Sequence, residues 1–234
     1  MQILIPMAGS GKRFREAGYE LPKPLIDAGG IPMIERVLGN LPASGKVVLI
    51  VLSEQVGLIP PSVAGCVRVV TVGALTEGAA CTVLLAEDHI ESGEALLIAN
   101  ADQWLDWAPD HFADYCTRSG ADGCIATFRA SGPKWSYAEV REDGTVAAVV
   151  EKVPISSDGT CGVYWWRRAS DCFAAVRRML GKNLRVNGEF YLAPAFNEMI
   201  LDGARIVAYP VPRMWGLGTP ADLKLALEAK PWRR

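Results

Sequence analysis

Gly9, Ser10 and Gly11, followed at once by Lys12 and Arg13, close the short apolar run Ile3-Leu-Ile-Pro-Met7 with residue types suited to holding phosphate. Small residues let backbone approach a ligand closely and aim successive N–H groups at an anion. Ten residues beyond Arg13, Lys23 stands between Pro22 and Pro24. Each proline fixes its own φ and biases the residue before it towards extended geometry, so Lys23 is presented on a stiff segment. Two familiar phosphate motifs are excluded. The dinucleotide fingerprint needs a third small residue where Phe14 stands. The P-loop needs Gly in place of Pro6 and Ser or Thr in place of Arg13.

Two further clusters could join this chemistry. Asn100-Ala-Asp102 ends an apolar run, where a carboxylate is costly unless paired or coordinated. Magnesium takes one or two carboxylates with phosphate oxygens and water, so Asp102 reads as a Mg²⁺ ligand. The alternative for Asp102 is a cap on the next helix. Thr76-Glu77-Gly78 follows another strand and adds a further loop of small and polar residues.

The elements that must position these residues alternate. Strands are predicted at 2–7, 46–52, 67–72, 95–99 and 123–128, with helices at 33–38, 79–89 and 109–118 between them. The continuous apolar run Lys46-Val-Val-Leu-Ile-Val-Leu52 fits a strand buried on both faces. Such alternation implies a mostly parallel sheet with helices on both sides, and ligands then lie beyond the carboxyl ends of the strands. The glycine turn, the 76–78 loop and Asp102 all fall at that edge. After residue 130 the pattern changes to a hairpin (137–141 with 146–150), a strand at 161–166, helices at 169–180 and 190–201, a strand at 205–211 and a closing helix at 221–229. Tyr164, Trp165 and Trp166 are assigned to the core or a dimer surface, Met179 and Met199 to the core.

The combination of Gly9-Ser-Gly-Lys-Arg-Phe14 with Pro22-Lys-Pro-Leu25 resembles the signature of the sugar-phosphate nucleotidylyltransferases, or NDP-sugar pyrophosphorylases. Thr76-Glu-Gly-Ala-Ala80, Leu97-Ile-Ala-Asn-Ala-Asp102, Val150-Glu-Lys152, Asn187-Gly-Glu-Phe-Tyr191 and Trp215-Gly-Leu-Gly-Thr219 extend the likeness over nearly the whole chain. Within that family the chain is similar to short members associated with capsule and surface-polysaccharide synthesis. The resemblance implies in-line attack by a sugar phosphate on the α-phosphorus of an NTP, releasing pyrophosphate. Arg13, with backbone N–H groups of Gly9 to Gly11, would hold the pyrophosphate. Lys23 would contact the α-phosphate or the acceptor phosphate, and Lys152 the acceptor phosphate. Lys12 is either part of this cradle or a solvated charge. Base recognition would fall to Ala8, Gly9 and the Thr76-Glu77-Gly78 loop. A carboxylate at Glu77 accepts from the exocyclic amine of cytosine and faces the O4 acceptor of uracil or thymine unfavourably, which favours CTP over UTP or dTTP, unless Glu77 is an exposed loop acid. Lys134, Trp135, Glu151 and Trp215 would line the acceptor side.

One departure stands out. The family carries a second metal carboxylate in a Trp-x-Asp-x-Gly-Thr context, and Gly216 occupies that place here. Glu189 and Asp222 are the replacements on offer. Glu189 is favoured because its loop could face the cleft, whereas Asp222 reads as surface charge in the first turn of the closing helix.

Composition sets the remaining bounds. With 234 residues, half of them apolar, the chain can bury a full core. A net charge of −2 gives no general attraction to nucleic acid or membrane. Six dispersed cysteines and two histidines make no zinc pattern, and dispersed thiols fit a reduced compartment. No apolar run reaches the roughly 20 residues of a membrane span. The expectation is a cytoplasmic, Mg²⁺-dependent nucleotidylyltransferase, a homodimer being compatible. Its fold would be Rossmann-like, three-layer α/β/α, with a mixed, mostly parallel sheet and a small acceptor-binding β lobe. Residues 1–234 would form one domain, 1–130 its nucleotide half and 131–234 its acceptor half. Two competing readings are a nucleotide-sugar-dependent glycosyltransferase and a catalytically inactive nucleotide-binding regulator. The first usually shows Asp-x-Asp where this chain has Asn100-Ala-Asp102. The second would not require Arg13, Lys23, Asp102 and Lys152 together.

Overall fold

The structure is a computed structural model and describes residues 1–233. Eleven strands are present among the described residues: β1 (Gln2–Pro6), β2 (Lys46–Leu52), β3 (Arg68–Val72), β4 (Leu96–Ala99), β5 (Gln103–Asp106), β6 (Gly123–Arg129), β7 (Ser136–Val140), β8 (Val146–Glu151), β9 (Asp158–Trp166), β10 (Ile206–Pro210) and β11 (Arg213–Gly216). The helices are α1 (Lys12–Glu16), α2 (Met33–Leu38), α3 (Pro61–Ala64), α4 (Ala79–Leu84), α5 (Pro109–Arg118), α6 (Ala169–Gly181), α7 (Ala195–Leu201) and α8 (Pro220–Ala229).

The main sheet runs β10-β6-β9-β4-β1-β2-β3, with the hairpin β7/β8 attached through β9. β1 pairs in parallel with both β2 and β4, β2 with β3, and β10 with β6. β9 runs antiparallel to both neighbours, β4 and β6. The mixed, mostly parallel sheet is therefore as expected.

Alternation along β1 distributes its side chains between two cores. Leu4 joins Val83 of α4, Phe173 of α6 and Phe196 of α7 on one face. Ile3 and Ile5 join Ile34 of α2 and Phe112 of α5 on the other. The two-residue strand period produces this division, and helices close both sides. Tyr164, Trp165 and Trp166 are buried, as are Met179 and Met199.

A third, smaller core lies beneath the sheet edge. Phe14, Ile26, Met33, Leu217, Leu223 and Ala226 form it, with Trp215 and Trp232 packed against it. These residues come from the glycine-turn helix, the Lys23 loop, the start of α2, the strand end at 217 and the closing helix. One cluster thus ties residues 14–33 to residues 217–226. Trp232 is docked on the body of the protein: the Arg36 guanidinium lies 4.7 Å from the centre of its ring.

Two expectations need correction. Residues 190–194 are not helical, and α7 starts only at Ala195. The Phe190 N–H instead donates to the Glu77 carbonyl, and the Phe190 carbonyl accepts from Ala80 N–H. Pro194 then opens the helix, where its missing N–H costs nothing. The second miss is the two-stranded sheet β5/β11, which pairs Trp104 with Trp215 and Gln103 with Gly216. Its strands have four residues each, too short for their alternation to stand out.

Candidate active site

Lys23 and Asp102 meet at the carboxyl edge of the sheet. Lys23 Nζ donates to Asp102 Oδ2 at 2.9 Å, across 79 residues of sequence. Both side chains are about three-quarters buried, at 26% and 24% relative exposure, so solvent screens the pair only partly. Pro22 is extended, but Lys23 is not the extended residue that a following proline favours: Lys23-Pro-Leu25 forms a single 3₁₀ turn, closed by the Leu25 N–H donating to the Pro22 carbonyl. Gly11, left-handed at φ 60°, packs against the Lys23 stem, where a β-carbon on residue 11 would lie 3.4 Å from Lys23 Cβ. The glycine turn and the lysine loop are thus one unit.

Asp102 is fixed from the other side. Asn100 N–H donates to the Gly162 carbonyl, Gln103 Nε2 to the Asn100 carbonyl, and Leu217 N–H to the Asp102 carbonyl. Gly218 lies so close that a β-carbon there would fall 2.6 Å from Asp102 Oδ2. Only glycine leaves room for the carboxylate at that point. The Asn100–Asp102 turn is accordingly held by a backbone network, and the capping role considered for Asp102 is not used.

Arg13 and Lys12 both lie on α1 with exposed side chains. Lys12 pairs with Glu16 at 3.7 Å, as a solvated i,i+4 charge does. Ala8 is buried, while Gly9 and Ser10 are exposed, leaving their backbone accessible at the turn.

Glu77 is engaged elsewhere than sequence reasoning expected. Its two carboxylate oxygens accept from Arg185 at 3.0 and 3.1 Å. The Arg185 guanidinium also lies 4.0 Å from the centre of the Phe190 ring. Those hydrogen bonds and the adjacent charge hold the Glu77 carboxyl below its ordinary value. With both oxygens taken, Glu77 is not the free acceptor that the CTP argument required. The loop itself is rigid: Gly78 sits at φ 136°, and a β-carbon there would fall 2.4 Å from the Phe190 carbonyl oxygen.

The residues expected on the acceptor side have different surroundings. Glu151, 5% exposed, accepts from Ser136 Oγ. Burial pushes its carboxyl up and the Glu189 charge adds to the rise, against the lowering effects of Ser136 and Lys152. Lys152 adopts a left-handed φ of 60°, and its ammonium contacts the Tyr191 hydroxyl and lies 4.1 Å from the centre of that ring. Trp135 packs edge-on to Phe128 at 5.2 Å. Trp215 is partly spent on structure, one face covered by Arg213 at 3.8 Å and the body packed on the third core.

The two candidates for a second acid have different surroundings. Glu189 is exposed, its backbone bridged to Val186, and its charge acts on Glu151. Asp222 lies beside Gly216: a β-carbon on residue 216 would fall 3.6 Å from Asp222 Cγ. Its oxygens accept from Lys134 Nζ at 2.6 and 2.7 Å, and Thr219 Oγ1 donates to Oδ2 at 2.7 Å. Lys134 therefore contacts an acid of the closing helix. No spacing rule could have brought Asp222 to Gly216, because the contact depends on how α8 turns off the end of β11.

Among the described residues no three carboxylate, imidazole or thiol groups converge as a closed metal cage. The donor set fits magnesium all the same, which takes one or two carboxylates and completes its shell with phosphate and water. Asp102 lies against Gly218 and Asp222 against Gly216, at either end of Gly216-Leu217-Gly218.

Residues 3–187 match the MobA-like NTP transferase domain. The chain belongs to that family. It is therefore a nucleotidyltransferase, and solved structures agree with its fold. It is similar, at 27% identity and TM-score 0.82, to the nucleoside-diphosphate-sugar pyrophosphorylase from Vibrio cholerae RC9, over 97% of this chain and 100% of that one. The inositol-1-phosphate CTP transferase from T. maritima shares the fold at 18% identity and TM-score 0.78, over 98% and 95% of the two chains. A UDP-glucose pyrophosphorylase complexed with UDP-glucose does so at 18% identity and TM-score 0.80, over 100% and 99%. No helix among the described residues is long and apolar enough to cross a membrane.

Proposed function

We propose that this transferase moves a nucleoside monophosphate from an NTP to a sugar 1-phosphate or similar phosphorylated acceptor, releasing pyrophosphate. The observation that carries the reading is the Lys23–Asp102 pair, built from two sheet-edge loops and backed by the glycine turn. The products named for the similar structures, an NDP-sugar and a UDP-glucose among them, support the acceptor class.

Phosphoryl transfer asks a protein for positioning and charge neutralisation more than for covalent chemistry. Backbone N–H groups at residues 9–11 and the Arg13 guanidinium would hold the β- and γ-phosphates. The Lys23 ammonium would turn from Asp102 to the phosphoryl oxygens as negative charge grows there. Asp102 would hold Mg²⁺, whose chemistry when bound is to offset phosphate charge. Lys152, fixed against Tyr191, would receive the acceptor phosphate, with Glu151 and Trp135 meeting the rest of the acceptor.

Since Arg185 occupies Glu77, the base would be read by the backbone around Ala8, Gly9 and Thr76–Gly78. The preference among CTP, UTP and dTTP then rests on those groups. The role in surface-polysaccharide synthesis follows if the product is an activated sugar. A panel of the five common NTPs against several sugar 1-phosphates, followed by ³¹P NMR, tests the reading. Pyrophosphate and an NDP-sugar should rise together in equal amounts for one pair at least. Hydrolysis of NTP without a coupled product, or no turnover with any pair, would reject it.

A further inference from the structure

Gly216 and Gly218 lie two residues apart, each against a carboxylate. A β-carbon on Gly218 would meet Asp102 Oδ2 at 2.6 Å, and one on Gly216 would stand 3.6 Å from Asp222 Cγ and 3.7 Å from Oδ2. Asp102 comes from the end of the fourth strand and Asp222 from the first turn of α8, so the juxtaposition is tertiary. Each acid faces one lysine, Lys23 at 2.9 Å and Lys134 at 2.6 Å. The Asp222 side chain is only 19% exposed, unlike an ordinary first-turn surface charge. Thr219 shares its position at both ends, donating to Oδ2 and accepting from the Asp222 N–H at 3.1 Å.

We infer that Asp222 serves as the second carboxylate for the divalent cation that enters with the NTP, supplied from the closing helix in place of an acid on the strand at 216. The inference rests on the nucleotidyl-transfer reading above. Two residues of extended chain span roughly 7 Å at about 3.3 Å per residue, close enough for one cation to take one carboxylate directly and the other through water. A β-carbon at 216 would make only ordinary contact with Asp222, so a side chain starting there reaches the same place as that acid. Lys134 acts as a charge-balancing partner that releases Asp222 when the cation arrives.

The test is Mn²⁺ binding to the full chain, read by the loss of the free-ion EPR signal, with CTP or UTP present. Asp222→Asn should weaken Mn²⁺ about tenfold or more, as lost support around a metal typically does. Adding Gly216→Asp to that variant should restore most of the affinity, because the new carboxylate starts where Asp222 stood. Lys134→Met keeps the acid and removes its competitor, and should tighten Mn²⁺ several-fold. Lys224→Met, on the same helix and paired only with Glu228, controls for lost charge and should stay within twofold. The rescue distinguishes a ligand from a merely structural aspartate, and Lys134→Met keeps the question answerable if Asp222→Asn folds poorly. Wild-type affinity in Asp222→Asn, no tightening in Lys134→Met, or no Mn²⁺ binding by the parent would each overturn the inference. Failure of the transfer reading would show separately, as absence of coupled pyrophosphate release.

Discussion

The two halves of this molecule handle charge in opposite ways. In the first half the sheet is parallel and almost wholly apolar, and the ionic groups sit on loops at one edge, partly open to water. Lys23 and Asp102 are the type, held in place by backbone hydrogen bonds to their own loops. In the second half acids go inside. Glu151 is 5% exposed beneath the hairpin, and Glu198 is 2% exposed with Lys182 at 2.7 Å. Edge charges can exchange partners cheaply, which suits a site that must admit and release a polyanion. A buried acid cannot, since moving its charge without a partner costs several kcal/mol. Such a group has a fixed neighbourhood, which suits reading one acceptor.

That contrast can be broken at the nucleotide edge first. Asp102→Asn should lower kcat by about 10²-fold or more, the scale for losing one preorganised electrostatic contact. Steady-state pyrophosphate release would show it, with circular dichroism unchanged. Gly78→Ala should act next, through strain rather than charge. Its new methyl meets the Phe190 carbonyl, so the 76–80 loop must move. The expected outcome is a several-fold rise in NTP KM and a stability loss of about 1–3 kcal/mol by urea titration.

In the acceptor half the effect should be smaller and opposite in sign. Burial raises the Glu151 carboxyl pKa, so its ionised form costs the folded state free energy above that pKa. Glu151→Gln removes the charge and should raise Tm at pH 7.5 by a few degrees while impairing acceptor use. The advantage should shrink as pH falls through the raised value towards 4.5, the ordinary carboxyl value, because the native glutamate then protonates too. A gain in Tm that is constant with pH would separate the stability effect from the titration.

How much was legible in the sequence divides along the same line. Strands 2–6, 46–52 and 96–99 announce themselves by continuous apolar runs, and the Gly9–Gly11 and Asp102 motifs follow the first and the last of them. What was not legible came from contacts between distant segments. The pairing of Trp104 with Trp215, the capture of Glu77 by Arg185, and the pairing of Asp222 with Lys134 leave no local periodicity. The misread start of the helix at 190 has the same cause: Phe190 satisfies its N–H and carbonyl against the 77–80 loop, and α7 begins only at Ala195.

Lys23→Ala addresses the central claim, that the edge cation serves the transition state and not only the fold. Its kcat for pyrophosphate release, with the NTP and sugar 1-phosphate used best by the parent enzyme, should fall by about 10²-fold or more. KM for NTP should change much less. A kcat within a few-fold of the parent's, in a folded variant, would contradict the account.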